Sequence, residues 1–138
     1  MPKNTTAQGD VGEWQVIAAL VRSGRVVLRP LSAGLRYDLA VDNLDGTVMR
    51  IQCKTGSLKQ GYIRFRACNS DARRPSGVPY HGQIEAFAVF CPQSGRTYLV
   101  PISSLPNRST VHLRLDPVRN GQRKRVRYAA DFEIRAVG

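Results

Sequence analysis

The sequence predicts an α+β domain, or an α/β domain built on a mixed central sheet, and three observations carry that expectation. A single clear helical period lies near the N-terminus, and a series of short strand patterns follows it. A nearly continuous apolar run, Ile84 to Cys91, has the length and composition of a strand buried on both faces. Little helical periodicity returns after Gly24, so helices and strands do not alternate evenly. The 138 residues suit one domain whose core needs neither disulfides nor a structural metal.

From about Gly9 to Ser23, the residues Val11, Trp14, Ile17, Ala18, Leu20 and Val21 recur at helical spacing, and Gly24 is a natural stop. Trp14 has helical neighbours at Ile17, Ala18 and Val21, which predicts a core position. Residues 1–8 are polar and expected to be flexible. Arg25–Arg29 reads as a strand ended by Pro30, and Tyr37–Val41 as a second. Asp42 to Gly46 reads as a hairpin turn, because Asp-Gly tolerates positive φ, with Thr47–Thr55 returning. Tyr62–Arg66 alternates as another strand.

Residues 69–82 read as a long, basic, turn-rich loop in which Tyr80 and His81 serve packing and anchoring. Glu85 reads as structural. Arg96–Val100 pairs with the apolar run across Gln93-Ser94-Gly95. Beyond Pro101 the sequence predicts a short turn near Ser103-Ser104-Leu105, a strand at Val111–Leu115 and a basic tail.

Composition narrows the partner. Lys and Arg number 21 against 10 Asp and Glu, a net charge of +11 with a calculated pI near 10.4. A protein this basic attracts polyanions, of which nucleic acid is the commonest; ribosome association or an anionic membrane surface would give the same number. The N-terminus is polar, and no apolar run approaches the ~18 residues that span a bilayer, so a soluble, cytoplasmic protein is expected. Cys53, Cys68 and Cys91 are widely spaced and odd in number, and they read as small buried hydrophobes. His81 and His112 are too few and too distant for a histidine-based metal site.

Four residues are odd for their local context. Glu13 stands three, four and seven residues before Val16, Ile17 and Leu20, on the edge of the helix's apolar stripe. Asp38 lies in mid-strand, sharing a face with Ala40 while Tyr37, Leu39 and Val41 share the other. In the returning strand, Met49, Ile51 and Cys53 alternate with Arg50, Gln52 and Lys54. If the two strands form the hairpin, Asp38 and Gln52 are neighbours and Lys54 is one pleat along. Oxygen donors beside an ammonium suit metal-assisted phosphodiester hydrolysis. Mg²⁺ takes one or two carboxylates plus substrate phosphate, and a lysine offsets charge developing on the phosphoryl oxygens.

Tyr37-Asp38 followed by Gln52-Cys53-Lys54 resembles the PD-(D/E)XK nuclease superfamily, and Gly9-Asp10-Val11-Gly12-Glu13 resembles its acidic N-terminal helix. Arg36-Tyr37-Asp38-Leu39, Gln52-Cys53-Lys54-Thr55 and Phe87-Ala88-Val89-Phe90-Cys91-Pro92 resemble, more narrowly, the branch of intron-associated homing endonucleases. The resemblance spans roughly residues 9–101 as a nuclease core, with 102–138 as a basic C-terminal extension of a single domain. It implies a restriction-endonuclease-like core, a mixed central sheet flanked by helices. It also implies Mg²⁺-dependent DNA cleavage, with Mn²⁺ as a substitute ion. By the same resemblance Glu13, Asp38 and Gln52 are metal ligands, and Lys54 is the catalytic lysine. Tyr37 stands where the motif's name has proline, and Gln52 where a carboxylate is usual. A neutral ligand lowers the charge holding the cation, which makes Glu13 more important.

Arg64, Arg66, Arg73, Arg74, Arg123, Lys124 and Arg125 are the candidate DNA-binding residues, since phosphate contacts supply affinity around an acidic pocket. The expected partner is double-stranded or branched DNA. Duplex cleavage takes two active sites, so a homodimer or higher homo-oligomer is expected. Holliday-junction resolvases and restriction enzymes share the scaffold. Two other classes stay open: a non-catalytic DNA-binding protein on a decayed nuclease fold, favoured by Gln52, and a basic ribosomal or RNA-binding protein. The last would give no convergence of Asp38, Gln52 and Lys54.

Overall fold

A computed structural model describes residues 5–71, 74–105, 109–115 and 126–137. The N-terminal helix α1 runs Thr5–Arg22, beginning at Thr5 rather than Gly9. Its end is a Schellman motif. Gly24, at φ +85°, donates its N–H to Val21 O at 2.9 Å, and Arg25 donates to Leu20 O at 3.1 Å.

The face that α1 buries differs from the expected one. Gly12, Val16, Ala19 and Leu20 are buried, whereas Val11, Trp14 and Val21 are exposed. Trp14 is 59% exposed and carries the Arg29 guanidinium 5.0 Å from its ring centroid. Gly12 lies on the buried face, where a Cβ would meet Thr55 Oγ1 at 3.4 Å, an ordinary contact. Hydrophobic periodicity gives no weight to a glycine, so the larger residues alongside set the expected face.

The described residues form ten strands: β1 Val26–Leu28, β2 Leu39–Asp42, β3 Val48–Thr55, β4 Ser57–Lys59, β5 Tyr62–Arg66, β6 Cys68–Asp71, β7 Arg74–Pro79, β8 Ala86–Cys91, β9 Arg96–Pro101 and β10 Thr110–Arg114. The central sheet has the order β1-β2-β3-β8-β9 and is mixed: β3 and β8 are parallel and the other pairs antiparallel. All six residues of β8 are buried, as the apolar run predicts. The β2–β3 connection is wider than a two-residue Asp-Gly turn. Asp42 pairs with Val48, Asn43 N–H donates to Thr47 O, and Leu44 and Gly46 both take positive φ.

A second sheet, β10-β5-β4, is wholly antiparallel. Gln60 and Gly61, both at positive φ, join β4 to β5 in the two-residue manner that suits a twisted hairpin. The stretch read as a loop over 69–82 contains instead the antiparallel pair β6–β7. Pro75, Gly77 and Pro79 argue against a strand by propensity, but an isolated two-stranded ribbon has open edges that tolerate proline.

The central sheet divides two cores. On one side α1 contributes Val16 and Leu20 against Leu39, Val41, Ile51, Ala86 and Ala88. On the other, Phe87, Val89, Tyr98 and Val100 pack with Ile63, Phe65, Val111 and Leu113 of the second sheet and with Tyr80. One flank is therefore helical and the other is a sheet; α1 is the one α-helix among the described residues. Gly56 makes the bend from β3 into β4 possible, since a Cβ there would lie 2.9 Å from Ile63 Cγ2 and 3.0 Å from Val89 Cγ1. The C-terminal segment closes the free edge of β9: Leu99 N–H donates to Phe132 O at 2.8 Å, and Ile134 N–H to Thr97 O at 2.9 Å. Among the described residues no helix is long and apolar enough to cross a membrane.

Candidate active site

β3 is hydrophobic on its helix side, where Met49, Ile51 and Cys53 join the α1 core, and polar on the other, where Arg50, Gln52 and Lys54 project. Leu39 pairs with Ile51, and Asp38 stands in the bend just before β2, not within a strand as its alternation predicts: Tyr37 packs in the second-sheet core and Leu39 in the α1 core. Two backbone-anchored bonds fix Asp38. Its N–H donates to Ile51 O at 2.8 Å, and its Oδ2 accepts the Cys53 N–H at 2.9 Å. Burial raises the Asp38 pKa, against the opposing pull of the Cys53 N–H and of the Lys54 charge.

Lys54 lies one pleat along. Its Nζ sits 5.1 Å from the Tyr80 ring centroid and donates a 3.4 Å bond to Cys68 O. Burial lowers its pKa; Arg66 and Arg36 push the same way, while Asp38 opposes them. Tyr80 is itself buried, edge-to-face with Phe87, and the Arg36 guanidinium lies 4.0 Å from its ring centroid. Tyr80 thus takes the packing role expected of it, while His81 is exposed.

Glu13 follows the buried Gly12 on α1 and is half-buried. It is raised in pKa first by burial and then by the negative charge of Asp38, with Arg29 opposing from 3.4 Å. Between the two carboxylates, the Cys53 thiol is pushed well up by burial and by both negative charges, which keeps it protonated. The structure therefore brings Asp38 within electrostatic reach of both Lys54 and Glu13, while Gln52 projects from β3 on the Lys54 side.

Two carboxylates that burial holds above their ordinary pKa, Glu13 further raised by the Asp38 charge, are hard-oxygen donors close to one another, with the Gln52 amide on the neighbouring strand as a third candidate. That chemistry fits a divalent cation. Among the described residues no three His, Cys, Asp or Glu side chains cluster to hold a metal ion.

Glu85 and Arg50 bound the polar side of β3. Arg50 Nη2 lies 2.6 Å from Glu85 Oε2, and Glu85 Oε1 also accepts the Arg50 backbone N–H at 2.9 Å, which agrees with a structural Glu85. Cys68 and Cys91 are buried and Cys53 half-buried, all as free thiols. Arg64 and Arg66 point outward from β5. Arg74 lies in β7, and Arg73, Arg123, Lys124 and Arg125 lie outside the described residues. Nothing in the sequence marked the place of Tyr80 beside Lys54 and of Arg36 over the Tyr80 ring. Arg36 stands next to Tyr37-Asp38, but Tyr80 comes from a turn-rich stretch with no periodic signal.

A family model described as PD-(D/E)XK endonuclease matches residues 3–135. Among solved structures, the bacterial homing endonuclease I-Ssp6803I is similar, with 21% identity, a TM-score of 0.66, and coverage of 96% of this chain and 88% of that one. The Holliday junction resolvase Hjc of Archaeoglobus fulgidus aligns with a TM-score of 0.42 at 14% identity, over 73% of this chain and 86% of its own. Comparison with curated proteins finds no match.

Proposed function

We propose that this chain, which belongs to the PD-(D/E)XK endonuclease family, is a nuclease of one domain that hydrolyses phosphodiester bonds in DNA with Mg²⁺, or Mn²⁺ in its place. The observation that carries the reading is the anchoring of Asp38 to the Cys53 amide, between Gln52 and Lys54. Glu13, Asp38 and Gln52 would hold the cation, which supplies Lewis-acid activation of the scissile phosphate and a water of lowered pKa. Asp38 contributes a carboxylate that cannot swing away, because the β3 backbone holds it. Lys54 presents its ammonium to the phosphoryl oxygens, held beside the Tyr80 ring and by Cys68 O. Gln52 reduces the charge at the site, so the reading makes Glu13 indispensable to cation binding.

The likeness to a homing endonuclease favours a duplex substrate. Cutting both strands takes two such sites, so the proposal includes a homodimer or larger assembly. A second reading, a DNA-binding protein that does not cut, rests on Gln52 alone.

Plasmid nicking with and without Mg²⁺ tests the assignment on wild type, Asp38→Ala and Lys54→Ala. Wild type nicks only with the cation, Asp38→Ala is inactive, and Lys54→Ala loses about 10²–10³-fold, the scale of one lost electrostatic contact to a transition state. Thermal melting gives a second readout, because Mg²⁺ raises the wild-type Tm and leaves that of Asp38→Ala unmoved. Equal nicking by all three proteins would sink the catalytic reading, and Mg²⁺-insensitive melting of wild type would sink the metal assignment.

A further inference from the structure

The second sheet has two unlike faces. Ile63, Phe65, Val111 and Leu113 point into the core, so alternation sends Tyr62, Arg64 and Arg66 of β5, and Thr110, His112 and Arg114 of β10, the other way. Strand register arranges them as a grid: Arg66 opposite Thr110, Arg64 between Ser57 and His112, Tyr62 between Lys59 and Arg114. Lys59, Arg64, Arg66 and Arg114 supply four positive charges on this grid, and no carboxylate stands among its residues. Soluble surfaces ordinarily intersperse the two signs.

The grid is also hollowed. One open cavity of about 370 Å³ is lined by Lys54, Ser57, Arg64, Arg66 and Thr110 among others. A second, of about 750 Å³, is lined by Lys59, Gln60, Tyr62, Arg64 and His112. Arg64 lines both, so the two hollows adjoin across its side chain and together make a trough from Lys54 to the β4–β5 turn. Tyr62 stiffens its wall. Its hydroxyl is 2.6 Å from Arg114 Nη1, and its ring stands edge-on to His112 at 5.9 Å.

We propose that this trough is a backbone track, which takes the phosphates of the nucleic acid to one side of the bond that the Lys54 site cleaves. Arg66 to Tyr62 is four residue steps, about 14 Å at a strand rise of ~3.4 Å per residue, long enough to take more than one phosphate. Its lining is point charge and aromatic wall, which suits phosphate positioning rather than base reading, so the contribution is independent of sequence. The inference rests on the nuclease reading for what sits at the Lys54 end, but its binding chemistry does not require cleavage.

Fluorescence anisotropy of a labelled 30-base-pair duplex, in chelator so that nothing is cut, tests it across a salt series. Each neutralised phosphate contributes about 0.9 to the slope of log K against log salt. Arg64→Ala/Arg66→Ala therefore lowers the slope by about 1.8 and weakens binding at low salt at least tenfold, equally on duplexes of unrelated sequence. Lys59→Ala lowers it by about 0.9. A control with equal charge loss, Arg22→Ala/Arg25→Ala at the far end of α1, changes the slope by less than half as much. Circular dichroism melts confirm that the variants fold, and all these side chains are exposed. The proposal is overturned if the trough double variant behaves like the control, if its loss depends on duplex sequence, or if wild type does not bind. A reduced slope together with a wild type that never nicks plasmid would leave the track standing and remove the nuclease reading instead.

Discussion

The two faces of β3 are made by the same eight residues and live in opposite environments. Toward α1, Ile51 is fully buried and Met49 and Cys53 pack with it against Val16 and Leu20. One residue along each time, Arg50, Gln52 and Lys54 stay partly open and face charge. The first face contributes stability through dispersion and burial. The second places ionisable groups where burial works against their charged forms, which raises Asp38 and lowers Lys54. A strand's alternation thus lets one segment serve as the core's wall and as the site's floor, with the energetic cost of the site borne by the packing behind it.

The comparison breaks most visibly in stability. Ile51→Ala should cost about 2–5 kcal/mol in chemical denaturation, by lost burial and a residual cavity. Gln52→Ala, its neighbour on the other face, should fall within about 0.5 kcal/mol of wild type while altering the Mg²⁺ dependence of nicking. Similar losses for both would mean that the two faces are not divided as described.

A smaller effect tests the bend that carries β3 out of the sheet. Gly56→Ala places a methyl against Ile63 and Val89, and overpacking of this kind costs about 1–3 kcal/mol, readable as a lower denaturant midpoint. The smallest effect is on pH. The Glu13 and Asp38 carboxyls are raised in the folded state, so the folded protein holds their protons more tightly than the unfolded chain does. Their contribution to stability is then present below the ordinary carboxyl range and is lost as pH rises through the raised values. Glu85, lowered by its bond to Arg50, works in the opposite direction, so the clean measurement is a difference. Without divalent ions, the gap in Tm between Asp38→Asn and wild type should widen in favour of the variant from acidic to neutral pH. A constant gap would show that Asp38 does not titrate abnormally.

Much of this was legible in the chain. Strand alternation marked Gln52 and Lys54 because period-two geometry is local and leaves a polar residue conspicuous in an apolar neighbourhood. The doubly buried β8 was legible for the same reason. Asp38 was marked by the same argument but stands in the bend before β2, where Tyr37 and Leu39 pack in opposite cores. The burial of α1 was not legible, since Gly12 carries no hydrophobic weight and Trp14 is apolar yet stands exposed beside Arg29. Nor was the β6–β7 ribbon, whose prolines are tolerated only because its edges are open.

The sequence by itself determined the class of fold, the mixed sheet and the odd strand position of Lys54, with Asp38 marked beside it. Only the tertiary structure decided that Glu13 reaches Asp38, that Tyr80 and Arg36 lie beside Lys54, and that the outward arginines of β5 run into the same site. The reason is range. Alternation is written between neighbouring residues, whereas those meetings depend on how closely a helix, a turn and a second sheet approach β3, and that distance is set by packing.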